Sequence, residues 1–182
     1  MSTSERPPDA PHDAQITLRL CGSPHWQAGL GTPAALGRLD AALLALVVFS
    51  DEGFPRDRAA AWLWPTVPLK TAQTNLRQHV FKLRQASGHA LLQTGPALRL
   101  APGVATDITS AAHPQGELLG GFDYGDLEAL DEWVRAARER QRHAHADALA
   151  ARAAAHEARG AVAAAIDDCT QLLALAPQQE RA

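Results

Sequence analysis

The chain has 182 residues and a formal net charge of −3, which excludes a bulk polycation that coats nucleic acid by charge alone. It is 46% hydrophobic but only 5% aromatic, so its cores are expected to be built from Leu, Ala and the four tryptophans, and no apolar run approaches the roughly 18–20 residues of a membrane span. Cys21 and Cys169 are lone and far apart in sequence, arguing against a disulfide framework and against a zinc site.

Residues 1–14 (MSTSERPPDAPHDA) lack an apolar signal segment, which predicts a cytoplasmic protein, and are rich enough in Pro, Asp and Ser to predict a disordered tail. A half-buried strand is expected over Ile16–Cys21, where Ile16, Leu18 and Leu20 alternate with Thr17 and Arg19. Gly22-Ser23-Pro24 turns the chain, and His25–Leu30 reads as a short return strand. A helix follows over about Leu36–Ser50, with Leu39, Leu43, Leu46 and Val47 on its buried side. Pro55 opens a second helix, Arg56–Trp64, which Pro65 stops.

The third helix, within Pro65–Gly88, has the most distinctive composition. Leu69, Ala72, Leu76, Val80 and Leu83 fall on one face. The other carries Lys70, Thr71, Thr74, Gln78, Lys82 and Gln85, with Arg77 and Arg84 at its border. Cations and amides of this kind reach phosphates and base edges in a DNA groove. Thr66 is a candidate N-cap, Pro68 suits the first turn, and Gly88 ends the helix. An ordinary solvated helix face has the same pattern, so the context has to decide. Between Arg56 and Arg84 there are six Lys/Arg and a single acid, Asp57, whereas Glu117–Glu132 holds six acids and no base. A helix, a short turn and a second helix with a cationic outer face make a helix-turn-helix, whose second member enters the major groove.

Ala90–Gln93 and Ala97–Leu100 flank Thr94-Gly95-Pro96 and predict a β-hairpin in the position of a wing, with Arg99 as its nearest cation and no Lys or Arg at its tip. Residues 15–101 are thus a winged-helix domain, and 102–115, with Pro102, Gly103 and Pro114, a linker. The rest, 116–182, is all helical. No Pro or Gly interrupts the chain between Asp126 and Arg159, so one long helix is expected, closed by Gly160 and followed by Ala161–Ala176. Gly160, Ala165, Leu173 and Pro177 have the spacing of a tetratricopeptide unit. One such unit cannot bury its apolar face alone, and the sequence stops where the next would begin, so a longer protein is expected. The fold class is mainly α with small β-hairpins.

These elements together resemble the antibiotic-regulatory-protein (SARP-type) transcription regulators. The residues that carry the resemblance are Ala41–Leu46, Arg56-Asp57-Arg58 before Leu63-Trp64-Pro65, Asn75-Leu76-Arg77-Gln78 with Lys82-Leu83-Arg84, Gly116-Glu117-Leu118-Leu119, Gly121-Phe122, Glu132-Trp133 and Arg138-Glu139-Arg140. The resemblance implies a response-regulator-like winged helix followed by a bacterial transcriptional activation domain of tetratricopeptide type. It implies double-stranded DNA as partner, with RNA polymerase and a second copy of the chain as further candidates. The DNA-binding set is then Lys70, Thr71, Thr74, Asn75, Arg77, Gln78, Lys82, Arg84 and Arg99. The chain departs from the family at Thr66, where an acid is frequent, and at Phe81, where a small polar residue is usual. An exposed aromatic more often covers a neighbouring domain or dimer interface than a thymine methyl.

Catalysis has little support. His143 and His145, two apart on a predicted helix, point different ways and cannot share a metal as an i, i+4 pair could. Gly29-Leu30-Gly31 and Gly120-Gly121 read as turns, not phosphate cradles. Neither a cofactor nor a metal is expected, and the chain reads as a non-enzyme. The alternative function is a protein-interaction adaptor whose winged helix no longer binds DNA, N-terminal to a larger signalling protein.

Overall fold

A computed structural model describes residues 15–110 and 116–175. The tail 1–14 and Pro177 lie outside the described residues, as does part of the expected linker.

Strand β1 (Ile16–Arg19) buries Ile16 and Leu18 as the alternation predicts. Gly22, at φ +72°, lets the chain turn back into β2 (His25–Ala28), antiparallel to β1. A two-residue β3 (Ala34–Ala35) adds to β2. Helix α1 (Arg38–Val48) is buried on more than the one side expected, since every residue from Ala41 to Val47 is at most 3% exposed. A helix apolar all round is one that other elements surround.

Strand β4 (Phe54–Pro55) runs into α2 (Arg56–Leu63), and a short turn leads to α3 (Leu69–Ser87). Pro68 is the N-cap of α3 and no side chain caps it, so Thr66 does not have the expected role. Gly88 ends α3 in the left-handed conformation, φ +68°, which its missing Cβ permits. Ala72, Leu76 and Leu83 are buried along one seam; Leu69, expected there, is 48% exposed at the first position of the helix.

The wing is β5 (Leu92–Gln93) against β6 (Ala97–Leu100), and β6 also pairs with β4, giving the order β4-β6-β5. The expected linker is only partly one. Strand β7 (Val104–Thr106) joins β1 in parallel, completing the sheet β3-β2-β1-β7, and a single turn α4 (Asp107–Ser110) follows. The Asp107 carboxylate accepts hydrogen bonds from the backbone N–H of Leu20 (2.9 Å) and Cys21 (3.0 Å) just past the end of β1. Residues 104–107 are therefore structural parts of the first region. Their pairing is with a segment some 85 residues earlier, which no local pattern records.

The segment before α5 is irregular but tightly held. Leu118 and Leu119 are fully buried, and the Leu119 N–H donates to Leu20 O at 2.7 Å. Tyr124 is buried, and its hydroxyl donates to Arg38 O at 3.0 Å. Arg38 reaches across to Asp126 (2.8 Å), whose carboxyl it holds below the usual carboxylate range. Helix α5 (Glu128–Ala158) is the single long helix the sequence predicts. Arg138, on α5, donates to Leu118 O (2.9 Å) and Leu119 O (3.3 Å). Leu130, Val134 and Ala137 join the same apolar cluster as Leu18, Leu44 and Leu76. Phe122 and Trp133 are half-buried on its rim, Trp133 edge-on to Phe49 at 5.8 Å, so Tyr124 rather than either of them is the buried aromatic anchor.

Gly160, at φ +72°, turns the chain into α6 (Val162–Leu175), which folds back along α5. The pair is fastened by Arg152, which donates to both oxygens of the buried Asp168 carboxylate, with His156 3.7 Å from one of them. Cys21 is buried and Cys169 exposed, and both are free thiols. Burial pushes the Cys21 thiol up to about 11, although Gln141 donates a hydrogen bond to its sulfur. Among the described residues no helix is long and apolar enough to cross a membrane.

Candidate nucleic-acid interface

Helix α3 is held in a defined register by its neighbours. His79 contacts the Asp40 carboxylate of α1 at 2.7 Å and lies 5.1 Å from the Trp64 ring. Gln73 donates to Asp57 of α2 at 2.7 Å. With Ala72, Leu76 and Leu83 facing inward, 3.6 residues per turn places Lys70, Thr74, Arg77, Phe81 and Arg84 in one outward row, spaced by four, three, four and three. All five are exposed. Thr71, Gln78 and Lys82 form a second exposed row beside it, and Asn75 is half-buried at its edge.

The polar groups of the outward row differ in how committed they are. The Thr74 hydroxyl donates to Lys70 O (3.0 Å) and accepts from the Arg77 guanidinium (3.0 Å). Its donor is thus spent on its own helix, as is usual for a helical threonine, and it acts as a rest for Arg77. Among the described contacts Arg77 meets no acid of the helical region.

A groove of about 220 Å³ runs between α3 and the wing, lined by Arg56, Arg77, Phe81, Arg84 and Thr94 among others, with no carboxylate among its described lining residues. Arg56 is brought there because its backbone N–H bonds Pro96 O at 3.1 Å, tying the start of α2 to the wing turn. It is absent from the nine residues singled out above, and its place in the 56–84 cation cluster was the available signal. Arg58, from the same cluster, instead lies over the Trp62 ring at 4.8 Å.

Arg99 is not brought to this groove. It pairs across from Gln93 in the wing, and its side chain lies against Gly53 and 4.0 Å from Glu52, at the turn after α1. A Cβ at Gly53 would sit 2.7 Å from the Arg99 Cγ, and that glycine has φ +85°. The eight α3 candidates thus lie along one helix and Arg99 stands apart. Phe81 is 60% exposed, so neither the wing nor the helical region covers it.

The arrangement is a winged helix, its third helix exposed, followed by a helical region. No family model and no curated protein matches the chain. Among solved structures it is similar to Mycobacterium tuberculosis EmbR, determined in complex with a low-affinity phosphopeptide, with a TM-score of 0.51 and 19% sequence identity. The likeness covers 91% of this chain, hence both regions, and shows a shared fold. The chain spans 56% of the length of that structure.

Proposed function

We propose that the chain is a sequence-specific DNA-binding transcriptional regulator, with α3 entering the major groove and the helical region serving regulation or oligomerisation. The observation that carries this is the acid-free outer side of α3, where Lys70, Arg77 and Arg84 share one exposed row and Arg56 joins them across the groove. Polyanion binding depends on such a local footprint rather than on whole-chain charge. Lys70 and Lys82 contact phosphates, because an ammonium is a compact charge without a planar fork. Arg77 and Arg84 have the fork that matches a guanine edge or a phosphate, and Gln78 reads a base edge. Thr74 positions Arg77. RNA polymerase and a second copy of the chain are the further partners, and the chain acts by binding, without catalysis.

The adaptor reading is favoured by a different observation: α6 exposes Val162, Ile166 and Leu173, an apolar row suited to protein contact. Capture of genomic fragments at two salt concentrations separates the two. The parent should retain a defined subset of fragments, and Lys70→Ala/Gln78→Ala/Lys82→Ala should lose it while melting normally. Each single lysine loss should lower the salt slope by about one. A folded triple variant that retains the same fragments as the parent would replace DNA reading with the adaptor.

A further inference from the structure

We propose that Phe81 is a specificity-determining residue that reads the C5-methyl of a thymine in the major groove. This rests on the reading of α3 as the DNA-contacting helix and adds what its cations cannot supply. Phe81 occupies the same outward row as Lys70, Arg77 and Arg84, one turn beyond Arg77 and one turn before Arg84. Arg77, Arg84 and Arg56 line the same groove as the ring. Whatever docks on this surface meets a large apolar tip and three cations, with no acid among the described lining residues. A duplex supplies both complements at once: phosphates flank its groove, and on the groove floor the thymine methyl is the apolar group that base edges present.

The ring is available for that contact. It is 60% exposed, and among the described residues the helical region is fastened elsewhere, through Arg38–Asp126, Tyr124 and Arg138. Its position on α3 is steady, because His79, two residues earlier, is tied to Asp40 and Leu83, two residues later, is buried. A helix held so firmly fixes the point from which the ring reaches, which is what discrimination of a single methyl requires.

The test uses the full chain and a random-sequence duplex library. The best-bound duplex is selected, and each of its thymines is then replaced singly by deoxyuridine, which removes only the C5-methyl. At one or two positions the parent should bind the uracil duplex about fourfold more weakly, the transfer value of one methyl-sized apolar group. Phe81→Ser, whose fold is checked by its thermal melt, should bind thymine and uracil duplexes alike. If the parent selects a duplex but tolerates every thymine-to-uracil change, the reading of α3 stands and the role of Phe81 is overturned. It is equally overturned if Phe81→Ser keeps the parent's thymine preference, since another side chain must then read the methyl. If the parent selects no duplex at all, the DNA reading fails with it and the ring belongs to a protein partner.

Discussion

Between Ile16 and Ala137 the buried apolar side chains, Ala101 excepted, form one continuous cluster, whereas α6 leaves Val162, Ile166 and Leu173 at 64%, 58% and 71% exposure. The difference divides the molecule in another place than its loops do. Within the described part of 102–115, β7 and Asp107 belong to the first sheet, and beyond it Leu118, Leu119 and Tyr124 join the same interior. The first half of α5 is anchored to the winged helix, and its second half with α6 forms a hairpin fastened by Arg152 and Asp168. A helical pair of this kind buries one face and leaves the other for a neighbour. The proposed DNA contact thus falls on a surface with a dense core behind it, and the alternative protein contact on a thin hairpin.

The sharpest way to break this comparison is Leu130→Ala. Leu130 lies on α5 but is fully buried in the shared cluster. Removing it should cost about 2–5 kcal/mol, and the winged helix should melt together with α5 in one transition, followed by tryptophan fluorescence and far-ultraviolet circular dichroism. Two separate transitions would restore a boundary near 102–115. Asp107→Ala should cost about 1–3 kcal/mol by leaving the Leu20 and Cys21 N–H groups without their carboxylate. Denaturant unfolding measures it, and an unchanged midpoint would return β7 and α4 to the status of a linker.

A smaller effect concerns the link between Arg38 and Asp126, which is exposed and therefore weak. Hydrogen bonding to Arg38 lowers the folded carboxyl below its unfolded value of about 3.9. Its stabilising share is therefore complete above that value and is lost as pH falls through the lower folded value. The melting-temperature gap between the parent and Asp126→Asn should be open at neutral pH and close towards pH 2. A gap that stays constant would mean the carboxylate charge is immaterial. The smallest expected change is Leu173→Ser, within about 0.5 kcal/mol of the parent because the side chain is already in water. A larger loss would show that something covers α6, and the mass of the particle in solution would say whether it is a second copy.

Much of the fold is local and was legible. The apolar seam Ala72/Leu76/Leu83 and the terminal Gly88 specify α3, and the uninterrupted run from Leu127 to Ala158 specifies α5, because helix periodicity and stop signals are written within a few residues. The exposed row from Lys70 to Arg84 follows from the same periodicity. What tertiary structure alone decided depends on segments that meet from far apart. Two- and three-residue strands such as β3, β4 and β7 carry too few residues to show an alternation, and exist only because a partner strand supplies their hydrogen bonds. Leu69 has an apolar side chain in register with the seam, yet at the first position of α3 it stays 48% exposed, while Ala72 one turn on is fully buried. Arg56 and Arg99 are equally cationic in sequence. The bond from the Arg56 N–H to Pro96 O carries one to the groove, and the close approach of the other to Gly53 turns it away.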